Sequence, residues 1–149
     1  MGELPAHRPG DVTILDLEAS IEHFTRGTVR NVDALLVVAE PYYRSLETAG
    51  RLVPLARELG LERVWVVANK ARSDRDEGAI REYCARRGIE VIGAVPFDES
   101  VAEADRLGHA LIDHAPTAPA VAAVEALADT LLGRLGAPAR SGSRQEAGR

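Results

Sequence analysis

The sequence predicts an α/β fold, a mainly parallel sheet of about four strands with helices packed against it. Apolar, β-branched runs alternate with segments of helical periodicity, and the connections between them are short. Two of the runs are almost continuously apolar, which is typical of parallel strands covered on both faces. The length of 149 residues fits one domain, because about 100 to 200 residues per domain is usual.

Four strands are predicted from the apolar runs, which share β-branched residues and polar flanks. They are VTILDL (12–17), ALLVVAE (34–40), RVWVVAN (63–69) and EVIGAVPF (90–97). In a parallel sheet, ligands bind beyond the carboxyl ends of the strands, where the loops gather. Polar residues follow each of the four runs, so we expect any functional site at this edge of the sheet.

Helices are predicted between and after these strands from apolar residues spaced three and four apart. The predicted segments are 45–59, 78–87, 101–107 and 118–135. Gly60 and Gly88 end the first two helices, and Pro54 predicts a kink within the first. This alternation of strand and helix is what favours the parallel arrangement.

The two ends of the chain differ in composition from the middle. Residues 1–10 contain two prolines and two glycines, and residues 137–149 have no periodicity. We therefore expect a disordered lead-in, one truncated nucleotide-binding α/β domain over 11–136, and a disordered tail.

Composition limits the classes of function. A net charge of -5 with scattered arginines argues against nucleic-acid binding. The single cysteine, Cys84, excludes a disulfide within the chain and any metal site built from several cysteines. The sequence has neither a membrane-length apolar run nor a signal-peptide pattern, so we predict a cytoplasmic protein. Lys70 is the only lysine among 18 basic residues, so any chemistry that needs a lysine must use it.

The first predicted strand ends in an acidic residue, Asp16. Such an aspartate can hold a magnesium ion through water in a phosphate-binding site. It can equally cap the helix that follows, and spacing alone leaves both interpretations open. Glu18, Glu22 and His23 fit a solvated helix face better than a metal site.

Asn69 and Lys70 follow the third strand directly. An asparagine here can offer one donor and one acceptor to the edge of a purine base. Guanine-specific proteins place an aspartate three residues after such an asparagine, and Arg72 occupies that place. Adenine, or no base at all, is therefore favoured, and an ordinary turn asparagine is the alternative. After the fourth strand, Pro96 fixes the backbone and Asp98 can cap the next helix.

Taken together, four stretches resemble the second half of a known family, the carbon monoxide dehydrogenase maturation ATPases that serve nickel insertion. The stretches are DLEASIEHFTRGT, VVAEPYYRSLETA, VVANK and GAVPFDESVAEADRLG, and they occur in the family's order. The family belongs to the wider group of the nitrogenase iron protein and the septum-site and partition ATPases. The resemblance covers residues 11–135 and implies a partial P-loop NTPase fold.

The resemblance also implies roles for individual residues in binding Mg-ATP. Asp16 corresponds to the aspartate near magnesium, and Ser20 stands where the family has a phosphate-sensing glycine. Asn69 corresponds to the asparagine that contacts adenine, and the backbone of Pro96, Phe97 and Asp98 forms the other side of the base pocket. Ser20 departs from the family's glycine, and a serine restricts the backbone angles that glycine permits.

The sequence contains no G-x-x-x-x-G-K-[ST] phosphate loop, with which the family begins. Each charge-assisted hydrogen bond to phosphate is worth about 1.5 to 3 kcal/mol. Losing four of them costs on the order of 6 kcal/mol, or about four powers of ten in affinity. We therefore expect that the chain does not hydrolyse ATP alone.

In the family, the phosphate-loop strand lies between the strands that here end at Asp16 and Glu40. Without that strand the two edges are an aggregation hazard. The sequence therefore predicts a homodimer or a partner chain that supplies the missing half. The alternatives are a rearranged sheet in which the two strands pair directly, and a truncated gene model. The family also implies a metalloenzyme client.

Three functions remain in competition. The first is the C-terminal half of an ATP-binding metallocentre-maturation protein. The second is a non-catalytic interaction module or dimerisation scaffold derived from that family, with no catalytic residue of its own. A receiver-type domain ranks last, because Asp16 and Asp33 do not fall at successive positions of one strand end.

Overall fold

The computed structural model describes residues 11–17 and 32–136. Three strands form a parallel sheet in the order β1-β2-β3, so the predicted α/β class is confirmed. The elements follow one another as β1 (Leu35–Ala39), α1 (Tyr43–Glu58), β2 (Val64–Ala71), α2 (Asp74–Ala85), β3 (Val91–Pro96), α3 (Glu99–Leu107), α4 (Leu111–His114) and α5 (Pro119–Leu135).

The main core lies between one face of the sheet and helices α1 and α2. β2 is the central strand, and its side chains from Val64 to Ala68 are all buried, as its apolar sequence predicts. Ile80 and Cys84 of α2 are fully buried in the same cluster. Gly50 lets α1 approach α2, because a Cβ atom there would lie 2.6 Å from the Tyr83 hydroxyl.

The other face of the sheet is covered mainly by α5, which packs on β3. Gly93 permits this contact, because an added Cβ would lie 2.9 Å from Cδ1 of Leu127. The C-terminal end of α5 is tied to the sheet by Arg134, whose guanidinium donates to both carboxylate oxygens of Glu90 at 2.9 and 2.6 Å. The cover does not extend to β1, where the Val38 side chain is 58% exposed.

The predicted strand over 12–17 is wrong. Residues 11–17 have no regular secondary structure, and Ile14 is 89% exposed. The described sheet therefore has three strands, where the sequence predicts about four. The described strands β1, β2 and β3 pair only with one another, and a strand forms only where a neighbouring strand receives its backbone hydrogen bonds.

The predicted helices are confirmed, with shifted boundaries. The largest shift is in α2, which begins at Asp74 because the Ser73 hydroxyl accepts a hydrogen bond from the Asp76 N–H at 3.3 Å. Gly78 consequently lies inside the helix. Pro54 is accommodated within α1, which continues to Glu58, and the one-turn helix α4 has no counterpart in the prediction.

Several predictions fall outside the described residues. They are the lead-in over 1–10, the tail over 137–149 and the role of Ser20. In the part of the chain that the structure describes, none of the helices combines the length and apolar character needed to cross a membrane.

Candidate functional site

The carboxyl ends of the three strands bring together six residues, which we call the strand-end site. They come from the ends of β1, β2 and β3 because parallel strands all finish at the same edge of a sheet. The members are Glu40, Asn69, Lys70, Arg72, Phe97 and Asp98. The sequence predicts this edge as the functional one, and Asn69, Phe97 and Asp98 are among its predicted binding residues.

Lys70 has an unusual backbone conformation within β2. Its φ of 55° lies in the left-handed region, which residues with a side chain rarely adopt. In the pairing with β3, Asn69 lies opposite Val95 and Ala71 opposite Pro96, so Lys70 is an extra residue that bulges out of the ladder. Its ammonium group reaches across to the end of β1, where Nζ lies 2.7 Å from Oε1 of Glu40.

Glu40 is itself held in place at the end of β1. Its backbone N–H donates to the Ser45 hydroxyl at 2.9 Å, which links the strand to the first turn of α1. The pair of Glu40 and Lys70 therefore connects the end of β1 to the end of β2.

The ends of β2 and β3 are joined by backbone and side-chain contacts. The Phe97 N–H donates to the Ala71 carbonyl at 2.9 Å. The Arg72 guanidinium lies over the Phe97 ring, 3.4 Å from its centroid, and the Arg72 N–H donates to Oδ2 of Asp76 at 2.9 Å. A cation stacked on an aromatic ring is a stabilising contact, and here it joins the residue after β2 to the residue after β3.

Asp98 uses both carboxylate oxygens to hold helix N-termini. Oδ1 accepts from the Ser100 N–H at 2.9 Å, and Oδ2 accepts from the Ala120 N–H at 3.1 Å. These bonds, first that from Ala120 and then that from Ser100, hold the pKa of the Asp98 carboxyl below its ordinary value. The side chain thus caps α3, as the sequence predicts, and also caps α5, whose own N-cap residue Ala118 has no side-chain oxygen.

Asp16 is not brought into the strand-end site by any strand. It lies in the irregular segment 11–17, outside the sheet. Among the described residues, acidic, histidine and cysteine side chains form no group of three or more that could hold a metal ion. The role of Asp16 beside magnesium therefore stays a prediction.

Sequence reasoning missed two features of this site. The bulge at Lys70 has no sequence marker, because glycine rather than lysine usually marks a left-handed residue. The stacking of Arg72 on Phe97 joins residues from two different strand ends, and the only hint was that Arg72 replaces the aspartate of guanine-specific proteins.

Comparisons with known proteins agree with the predicted fold and family. The chain is 39% identical over 126 residues to the carbon monoxide dehydrogenase accessory protein CooC of Rhodospirillum rubrum, covering 85% of this chain and 46% of that protein. It is 43% identical over 99 residues to an ATP-binding protein of Methanocaldococcus jannaschii, covering 66% of this chain and 38% of that protein. No protein-family model matches the chain.

Solved structures show the same fold. The cell division protein MinD of Aquifex aeolicus aligns with a TM-score of 0.64 at 23% identity, covering 76% of this chain and 49% of that one. MinD of Pyrococcus horikoshii, solved with Mg-ADP, aligns with a TM-score of 0.55 at 18% identity, covering 66% of this chain and 41% of that one. The chain spans about half the length of the curated relatives it matches. On the strength of the identity to the accessory protein, the chain belongs to the CooC family of carbon monoxide dehydrogenase accessory proteins.

Proposed function

We propose that this chain forms the base side of an ATP site in a metallocentre-maturation protein of the nickel-insertion, carbon monoxide dehydrogenase accessory type. The observation that carries the proposal is the convergence of Asn69, Arg72 and Phe97 at the ends of β2 and β3. Identity to an accessory protein of that name, and to an ATP-binding protein, supports the choice of function.

In the proposed site, adenine lies at the junction of β2 and β3. The Asn69 amide offers one donor and one acceptor to the base edge. The backbone of Pro96, Phe97 and Asp98 closes the other side, and the bonds from the Asp98 carboxylate to Ser100 and Ala120 keep that turn in place.

The phosphate side of the site comes from polypeptide outside these 149 residues, either upstream in the same protein or in a partner chain. Magnesium, when bound, would neutralise phosphate charge, and we assign Asp16 to its side of the site. Ser20 would take the place beside the terminal phosphate. In this proposal residues 11–17 become ordered against the sheet only when the phosphate-loop strand is present, and the chain alone does not hydrolyse ATP.

Calorimetric titration with Mg-ATP tests the proposal. The chain is titrated alone and together with a polypeptide that carries the phosphate loop of the CooC relative. We expect no binding tighter than about a millimolar alone and binding at least about a hundredfold tighter in the mixture, because the phosphate contacts are then restored. Asn69→Ala should weaken that binding about tenfold or more, since it leaves the base edge without its partners.

The matched control is Thr130→Ala, a half-buried position near the C-terminal end of α5, away from the strand-end site. It should leave the affinity unchanged. If the mixture binds no nucleotide, or if Asn69→Ala and Thr130→Ala behave alike, the assignment of the base side is wrong.

A second candidate function is a non-catalytic interaction module or dimerisation scaffold. The observation in its favour is exposed apolar and aromatic surface at and beyond the end of β1, where Val38 is 58% and Tyr43 is 74% exposed. Under this proposal the chain acts as a homodimer or docks on a metalloenzyme client. Sedimentation velocity of the isolated chain distinguishes the two, because a stable dimer that binds no nucleotide favours the scaffold.

A further inference from the structure

Lys70 has a left-handed backbone conformation that is unusual for a strand residue, although it lies in the most buried strand of the sheet. Its left-handed backbone costs free energy relative to an ordinary strand conformation, because it places Cβ close to the following carbonyl oxygen. Bulges are rare in parallel pairs and occur preferentially beside functional sites. This cost is incurred between Asn69 and Arg72, at the junction assigned above to the base.

The bulge has a definite effect on the pairing of β2 with β3. Earlier along the ladder, Val66 lies opposite Val91 and Val67 opposite Gly93, so Ile92 is an extra residue in β3. Lys70 is an extra residue in β2 and restores the original register. Because of this correction, the Ala71 carbonyl faces the Phe97 N–H at 2.9 Å.

The same correction decides where the next side chains stand. A shift of one residue along a strand moves a side chain by about 3.3 Å and to the opposite face of the sheet. With the bulge, Asn69 lies opposite Val95 while Arg72 lies 3.4 Å over the Phe97 ring. The bulge thus controls the spacing between the amide and the stacked pair.

A glycine could adopt the backbone conformation of Lys70 without strain. The lysine side chain adds an ion pair with Glu40. Nζ lies 2.7 Å from Oε1 of Glu40, and the two side chains are 56% and 31% exposed. Pairs this exposed contribute little to stability. The contact instead fixes the direction of the Lys70 side chain, away from the ladder and toward the end of β1.

We propose that Lys70 is a positioning residue of the strand-end site: its left-handed bulge sets Arg72 and Phe97 in place relative to Asn69. The role in nucleotide binding rests on the proposed function above. The positioning itself does not, because it concerns contacts within the described chain.

Two substitutions separate the backbone conformation from the side chain. Lys70→Gly favours the left-handed conformation and removes the ammonium, whereas Lys70→Val opposes that conformation because valine is β-branched. Ile80→Val is the matched control, since it removes one buried methylene from α2 and lowers stability without touching the bulge. Amide hydrogen exchange and side-chain NMR are measured on all four proteins. The Phe97 amide is compared with the Val66 amide, which donates to the Glu90 carbonyl at 2.9 Å and reports on the sheet.

We expect Lys70→Val to speed exchange of the Phe97 amide about tenfold or more relative to Val66, and to remove the ring-current shift of the Arg72 side chain. Lys70→Gly and Ile80→Val should keep both features. Lysine-selective labelling of the wild type gives one backbone amide resonance, because Lys70 is the only lysine. That resonance should show the strong intraresidue NOE between the amide proton and Hα that a left-handed residue gives. Retention of both features in Lys70→Val would overturn the proposal.

Nucleotide titration of the same variants addresses the functional half. With the phosphate-loop polypeptide present, Lys70→Val should weaken Mg-ADP binding about tenfold or more, and Lys70→Gly should stay within about threefold of the wild type. Equal affinity of Lys70→Val and wild type would contradict a positioning role in binding. If even the wild type binds no nucleotide, the proposed function fails, while the NMR comparison still decides whether Lys70 positions Arg72 and Phe97.

Discussion

At the scale of single residues, Asp98 shows how one carboxylate can serve two helices. Its two oxygens accept the N–H groups of Ser100 in α3 and Ala120 in α5, which are 20 residues apart in sequence and adjacent in space. Helix N-termini carry partial positive charge, so a carboxylate at this point is favoured electrostatically as well as by hydrogen bonding. The turn after β3 and the start of α5 are therefore held as one unit.

Replacing Asp98 by alanine should lower the thermal midpoint by about 4 °C or more, because both helices lose a cap. Differential scanning calorimetry measures the change. Ser73→Ala, which removes the cap of α2 alone, is the comparison and should cost less. A smaller effect of Asp98→Ala than of Ser73→Ala would show that the bond to α5 contributes nothing.

The same residue predicts a pH dependence. The folded pKa of the Asp98 carboxyl lies below its ordinary value of 3.8, so its stabilisation is present above about pH 3.8 and is lost as pH falls through the folded pKa. The difference in thermal midpoint between wild type and Asp98→Ala should therefore be constant near neutrality and shrink as pH falls below about 3.8. A difference that stays unchanged across this range would disprove the assignment.

Cys84 illustrates a side chain whose chemistry is suppressed by packing. The thiol is fully buried beneath the sheet, and burial raises its pKa, although Arg87 opposes the shift. We expect the thiol to react with a disulfide reagent about a hundredfold or more slowly in the native protein than in denaturant. Absorbance of the released thiolate measures both rates, and similar rates in the two states would mean that α2 does not stay docked.

At the scale of elements, the helices on the two faces of the sheet are positioned by different contacts. Helices α1 and α2 pack over β1 and β2 in a continuous core that includes Ala49, and Gly50 lets the two helices approach each other. On the opposite face, α5 depends on Gly93 of β3, where Leu127 lies directly over the glycine. The absence of a side chain at Gly93 and the ion pair of Arg134 with Glu90 thus help to set the position of α5.

Gly93→Val should lower the free energy of unfolding by about 1 to 3 kcal/mol, because its methyl groups would have to displace Leu127 and α5. Gly78→Ala is the matched substitution in α2, where an added Cβ meets no atom within 4 Å. It should raise stability by about 0.5 to 1 kcal/mol, since alanine is the better helix former. Urea unfolding measures both, and a neutral Gly93→Val would mean that α5 is free to shift.

At the scale of the whole molecule, the described sheet has an uncovered edge strand, β1. Val38 is exposed on β1 although its neighbours Val37 and Ala39 are buried, and residues 11–17 carry apolar side chains outside the sheet. An uncovered strand edge with apolar side chains promotes association between chains. These features fit the observation that the chain spans about half the length of its curated relatives.

Val38→Lys should reduce self-association of the isolated chain, because a charge at an exposed strand position opposes edge pairing. Sedimentation velocity over a range of concentrations measures it. The change should leave the free energy of unfolding within about 0.5 kcal/mol, as is usual for exposed positions. Val101→Lys, an equally simple change on the exposed face of α3, should leave association unaltered. Association that is the same in all three proteins would show that β1 is not the contact.

By itself the sequence determined the α/β class, the three strands that form, the helices between them, and the placement of Asn69 and Phe97 at strand ends. These follow from hydrophobic periodicity and from motifs of neighbouring residues, which are properties of short segments. The family also followed from the order of such motifs. The strand predicted over 12–17 was wrong because an apolar run forms a strand only when another strand pairs with it.

Only the tertiary structure decided the bulge at Lys70, its ion pair with Glu40, the stacking of Arg72 on Phe97 and the second bond of Asp98. Each depends on the register between strands or on contacts between residues far apart in sequence. Local periodicity carries no information about such registers, because one residue more or less in a strand leaves its apolar pattern almost unchanged while it turns every later side chain to the other face.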